Sequence, residues 1–125
     1  MPGSASLYAH VASRDEIIEL TADRIAAGVT VPKPDPARWQ DQLRAYAQHA
    51  QQVWVPHADI ARASLATIPT GPDRLRVIDA LLVILRAAGF SDRVAAWAVD
   101  RLQIYIDADV SEERVARYVH TRHHG

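Results

Sequence analysis

The segment from Asp35 to Pro56 constrains the fold of this chain more than any other. Asp35-Pro36 places a favoured N-cap residue before a proline at the first helical position, and Pro56 closes the run. Between them Trp39, Leu43, Tyr46, Ala47, Ala50 and Trp54 recur at three- and four-residue spacing, which is one continuous apolar stripe on a helix from about residue 36 to 54. The remainder of the chain reads the same way. Ala, Leu, Arg and Gln are abundant, runs of β-branched residues are scarce and there is a single Phe, so the expected fold class is all-α, a bundle of about six to seven helices.

Proline, glycine and serine punctuate that bundle. A short amphipathic piece over residues 4–11 leads into a helix over about 14–27, whose apolar positions Ile17, Ile18, Thr21 and Ile25 end at Gly28, a candidate C-cap. Ser13 and Glu16 form a capping box at its start, which predicts a tight corner there and leaves the first piece as a projecting arm. Residues 28–36 hold three prolines and predict an extended linker. A weaker helix over about 57–66 precedes a loop over 67–72. Pro72 or Asp73 then opens a helix with Leu75, Ile78, Leu81, Leu82 and Leu85 on one face, stopped by Gly89. Ser91 caps the next, which carries Val94, Ala95, Ala98, Val99, Leu102 and Ile106. Residues 111–118 either continue it or form another.

Composition excludes several functions. At 125 residues the chain suits one domain able to bury roughly two-thirds of its unfolded surface. A net charge of −1 and a pI near 6.6 provide no global positive field for nucleic acid. With no cysteine there is no disulfide scaffold, thiolate zinc site or cysteine nucleophile. There is no glycine-rich phosphate loop, no Gly-x-Ser-x-Gly elbow and no metalloprotease helix, so an enzyme is not expected, nor a cofactor. No signal peptide or membrane span is evident, which predicts a cytoplasmic location and no membrane partner. His120, His123 and His124 have metal-ligand spacing at the chain end but lack a matching carboxylate, so only adventitious metal binding is expected of them. The acidic group Asp107, Asp109, Glu112 and Glu113 reads as a solvated face.

The run Ser6-Leu7-Tyr8-Ala9-His10-Val11, followed by Ser13-Arg14-Asp15-Glu16, resembles the end of the DNA-binding domain in the tetracycline-repressor family. Gly71-Pro72-x-x-Leu75-Arg76, Asp79-Ala80-Leu81-Leu82 and Leu85-Arg86-Ala87-Ala88-Gly89-Phe90-Ser91-Asp92 resemble the middle of that family's ligand-binding domain, and Ala95-Ala96-Trp97-Ala98-Val99-Asp100 and Tyr105 continue the pattern. The resemblance implies three regions. Residues 1–27 correspond to the recognition helix and the helix after it, the remnant of a helix-turn-helix domain. Residues 28–36 are a linker, and 37–125 an effector-binding and dimerisation domain.

The resemblance also implies roles. Ser4, Ser6, Tyr8, His10 and Arg14 correspond to positions that contact DNA, chiefly its phosphates. In the family two more helices precede this point and another usually follows the end reached here. DNA is therefore a partner only if the native product carries those preceding helices. The central helices of the family enclose a pocket for a small, often aromatic effector, for which Tyr46, Trp54, Trp97 and Tyr105 supply aromatic walls and His49 and Arg62 polar groups, with Gln52 and His57 nearby. A homodimer is expected, with the helix over 91–107 and its small residues Ala95, Ala96 and Ala98 as the contact. The functional expectation is a transcriptional regulator, a repressor that senses a small molecule. The alternatives are a helical protein–protein interaction module, or a truncated fragment without independent DNA binding.

Overall fold

The computed structural model describes the backbone of residues 2–124 and the side chains of residues 9, 10, 12–110, 112 and 116. Its elements are α1 (Pro2–Ala26), a 3₁₀ turn (Pro36–Arg38) leading into α2 (Trp39–Trp54), a second 3₁₀ turn (Val55–His57), α3 (Ala58–Ser64), α4 (Pro72–Ala87) and α5 (Asp92–His124). Among the described residues there is no strand, which agrees with the all-α expectation. Four helices are long and α3 has seven residues, so the bundle falls short of six to seven. No helix among the described residues is long and apolar enough to cross a membrane.

The shortfall comes from two fusions. α1 runs unbroken through Ser13, so the corner expected there is absent. The residues between Gly3 and Ser13 include no proline or glycine, and a serine inside a helix costs only about 0.5 kcal/mol relative to alanine. A capping box permits a helix start but does not compel one. Likewise α5 continues for 33 residues through Ser111, settling the question left open at its end.

The core lies where the predicted stripes meet. Tyr46 and Ala50 of α2, Val77, Leu81 and Leu85 of α4, and Ala95, Val99, Ile106 and Val110 of α5 are buried together. α5 packs on α2, α3 and α4 at once. Ala95 faces this interior with no exposure and Ala98 is half-buried, whereas Ala96 is exposed, so the small residues of α5 are divided between its inner and outer faces. α5 also shows Val94, Trp97, Ile104 and Tyr105 to solvent. The segment after α1 is extended as expected, but Val29 within it is fully buried in the common core.

α1 packs against α3 and α4 on a face that the isoleucine spacing identifies only in part, with Ile18, Thr21 and Ile25 half-buried. Ile17 is 61% exposed, whereas Glu19, Ala22 and Ala26 are buried. The two alanines allow close approach, and the glutamate finds its partners on the other side. Termini are exchanged as well. Gly71 stands at the N-cap of α4 and has no side chain to cap with. Asp23 of α1 takes that role, its Oδ1 accepting the Arg74 backbone N–H at 2.8 Å. In return the Arg76 guanidinium donates to the Ala26 and Val29 carbonyls at 3.1 and 3.0 Å, closing the C-terminal end of α1 where a cation also suits the helix dipole. Gly28, the expected cap, has no positive φ.

Other signals are realised directly. Gly89 ends α4 with φ +102°, and the bonds from Phe90 N–H to Leu85 O and from Gly89 N–H to Arg86 O complete the left-handed stop. The Ser91 Oγ accepts the Val94 N–H at 3.3 Å at the start of α5. Gln42 reaches back from α2 to the Asp35 N–H and the Lys33 carbonyl, and Trp39 meets Phe90 edge-to-face with ring centroids 5.0 Å apart.

Gly71 is required for space rather than for its backbone angles: a Cβ there would lie 2.3 Å from the Asp23 carboxylate. Asp23→Ala is therefore expected to cost about 1 kcal/mol in urea unfolding, and Gly71→Ala to lose at least as much by pushing Asp23 off the cap. Midpoints equal to wild type for both would refute the exchange of caps.

Candidate functional site

A cavity of about 310 Å³ opens between the end of α1, α2, the loop after α3, α4 and α5. Its wall is apolar over most of the circumference, from Trp54, Leu65, Ile78, Leu82, Val99 and Ile104. Polar groups gather among the rest of the lining: Tyr46 from α2, Arg74 from α4, and Asp100, Gln103 and Asp107 from α5. The last three fall at i, i+3 and i+7, so α5 presents them as one column.

The groups are electrostatically linked. The Tyr46 hydroxyl donates to Gln103 Oε1 at 3.3 Å. Burial pushes the Tyr46 pKa up to about 12, with the Gln103 hydrogen bond acting against it and the Asp107 charge adding to it. Burial also pushes the Asp107 carboxyl up to about 6, against the pull of the Arg74 guanidinium. Arg74 is itself held by the buried Glu19 of α1. Glu19 Oε2 also accepts from the Thr67 hydroxyl at 3.0 Å, and its Oε1 from the Thr70 N–H at 3.1 Å. One guanidinium thus serves two carboxylates, one on either side of it in chain order and on different helices.

Of the six side chains expected to bind a ligand, Tyr46 and Trp54 line this cavity. His49 lies elsewhere: its Nε2 accepts the Thr30 N–H at 3.1 Å, tying the extended segment to α2. Arg62 is exposed on α3 outside the cavity lining, as are Gln52 and His57 on and beyond α2. Trp97 is 62% exposed with the Arg101 guanidinium 5.3 Å from its ring centroid. Tyr105, 67% exposed, borders a separate recess of about 220 Å³ with Arg44 and Asp109. Arg74, Gln103 and Asp107 were not among the expected residues. Asp107 in particular is not part of a solvated acidic face, because Ile106 and Val110 beside it are core residues and turn its side chain toward the interior. The i, i+3, i+7 spacing of Asp100, Gln103 and Asp107 is the signal that could have found the column.

The N-terminal candidates divide. His10 and Arg14 are exposed on α1. Ser4, Ser6 and Tyr8 lie outside the described side chains, as do His120, His123 and His124. Among the described residues no group of three acidic or histidine side chains is placed to hold a metal ion.

Comparison with known proteins adds three findings. A family model described as the tetracyclin repressor-like C-terminal domain matches residues 31–123. An HTH-type transcriptional regulator of Saccharopolyspora erythraea is 29% identical over 117 residues, covering 92% of this chain and 49% of the relative. The TetR family protein ActR of Streptomyces coelicolor, in complex with actinorhodin, is 33% identical with a TM-score of 0.76, covering 90% of this chain and 54% of that one. Its complex with (S)-DNPA gives the same identity and TM-score over 89% and 55%. The chain spans about half the length of each of these relatives.

The raised Asp107 pKa has a stability consequence. The folded chain holds this proton more tightly than the unfolded one, so stability falls as pH rises from about 3.8 to about 6 and the loss is complete above that. Asp107→Asn, which removes the charge and keeps the shape, is expected to be more stable than wild type at pH 7.5 by up to about 3 kcal/mol, and equal to it near pH 4. A variant no more stable at pH 7.5 would refute the desolvated placement of Asp107.

Proposed function

The chain belongs to the tetracycline-repressor family, and we propose that it is the effector-binding and dimerisation portion of a transcriptional regulator of that family, acting as a repressor. The observation that carries this reading is the cavity. Its volume of about 310 Å³ lies at the lower end of the range for small-molecule sites, and its composition, an apolar wall with a few convergent polar groups, is that of a ligand pocket. That ActR, a similar protein, is observed with actinorhodin and with (S)-DNPA supports a small-molecule effector here. Tyr46 and Trp54 are the residues of the original candidate set that this proposal retains, joined by Arg74, Gln103 and Asp107.

The regulatory step requires that a ligand favour one arrangement of the helices over another. Arg74 offers the route, since it borders the cavity while gripping α1 through Glu19. A ligand that draws on Arg74 changes how firmly α1 is held. α1 carries His10 and Arg14, which with Ser4, Ser6 and Tyr8 are the proposed phosphate contacts on an operator.

Dimerisation is proposed through the outer face of α5. Val94, Trp97, Arg101 and Tyr105 recur there at helical spacing, and three of them are large apolar or aromatic side chains left in solvent. The same face suits the alternative of an interaction module that docks a different protein, so ligand binding is what separates the two.

Thermal denaturation against a panel of fused-ring aromatic compounds, with light scattering on the same samples, tests the reading. A binder at one hundred times its Kd is expected to add about 2.7 kcal/mol, several degrees in Tm. Ile78→Trp, which fills the cavity, should fold and lose the response, while Trp97→Glu should give a monomer that keeps it. A panel without any response would leave the interaction module as the better reading.

A further inference from the structure

The charges around the cavity are unequal. Among the described residues lining it, Arg74 is the one cation, while Asp100 and Asp107 are both acids. Arg74 does not stand ready for a ligand: Glu19 holds it in an ion pair whose side chains are 9% and 17% exposed, and the same guanidinium acts on Asp107. Arg74 thus acts on both Glu19 and Asp107, and Asp100 adds a second acid to the described lining. A carboxylate arriving there would add a further anion to a poorly solvated site and would compete with Glu19 for Arg74. A positively charged donor meets the opposite situation. It supplies the countercharge that Asp107 shares with Glu19, and Gln103 and Tyr46 stand beside it with oxygen acceptors. Asp100, exposed on the same column of α5, adds attraction for a cation on its way in.

Resting on the effector-site reading above, we infer that the cavity selects an aromatic or apolar ligand bearing a protonated amine, with Asp107 as its charge partner, over the corresponding carboxylic acid. The aromatic body lies against Trp54, Ile78 and Val99, and the ammonium group lies toward Asp107 and Gln103. The selection depends on Asp107 being ionised. Among the described residues, the charged and titratable groups around it are Arg74 on α4, Tyr46 on α2 and Asp100 on its own helix, with Glu19 of α1 held by Arg74. Burial sets Asp107 near pH 6, so the site gains its charge across the weakly acidic range. Amine affinity accordingly falls as pH drops below that point, whereas binding of a neutral analogue does not.

Isothermal titration with 2-naphthylmethylamine, 2-naphthylmethanol and 2-naphthylacetic acid tests this on the full chain at pH 7.5 and pH 5.0. The expected order at pH 7.5 is amine, then alcohol, then acid, with the amine at least about tenfold tighter than the acid. The amine should weaken by about tenfold at pH 5.0, in keeping with linkage to one proton. Asp107→Asn, isosteric and freed of a desolvated charge, should lose the preference for the amine over the alcohol and the acid. An acid that binds as tightly as the amine, or an amine preference that survives in Asp107→Asn, overturns the inference while leaving the effector site intact. Binding of none of the three overturns both.

Discussion

Two helix ends that cap one another hold this structure together. α4 begins at a glycine that has no cap to offer, and α1 ends where no left-handed glycine completes it. Each takes what it lacks from the other: Asp23 of α1 accepts the N–H of Arg74, and Arg76 of α4 donates to the carbonyls of Ala26 and Val29. Between these bonds lies the buried Glu19–Arg74 pair, with both Glu19 oxygens further satisfied by Thr67 and Thr70. A buried ion pair adds little net stability by itself, but removing one member strands the other at a cost of about 3 kcal/mol or more. The junction therefore specifies where α1 sits more than it adds to overall stability.

The cavity inherits its character from that junction. Arg74 would be an anion-binding group in isolation, but with Glu19 behind it and Asp107 across from it the local balance becomes acidic. The same residue joins the cavity to α1, so the proposed choice of ligand and the position of α1 both rest on one guanidinium. Family membership places this geometry in the C-terminal domain of a regulator, and the proposed regulatory step turns on how firmly Arg74 holds α1.

Local rules were enough for the parts of the fold that depend on nearby residues. The Trp39–Trp54 stripe, the stop at Gly89 and the cap at Ser91 each follow from side chains within one or two turns, and each stands as read. The failures share the opposite property. Ile17 has the spacing of the buried face of α1, yet it is exposed, while Glu19 is buried through partners 48 to 55 residues away. Ser13 carries a start signal inside a helix that nothing interrupts. Asp107 sits in an acidic run that reads as a solvated face, although Ile106 and Val110 on either side fix its direction. For the candidate site, aromatic residues on stripes located Tyr46 and Trp54 but also Trp97 and Tyr105, because a stripe alone does not say which helical face turns inward.

The central claim, that Arg74 fastens α1 to the cavity wall, is tested most directly by native-state hydrogen exchange of the amides over residues 18–26 in wild type and in Arg74→Met. The account predicts that these amides in wild type are protected to the level of α4, and that in the variant they exchange at least about tenfold faster while Leu81–Leu85 keep their protection. Amides of α1 that exchange freely in wild type, or that are unchanged in the variant, would contradict it.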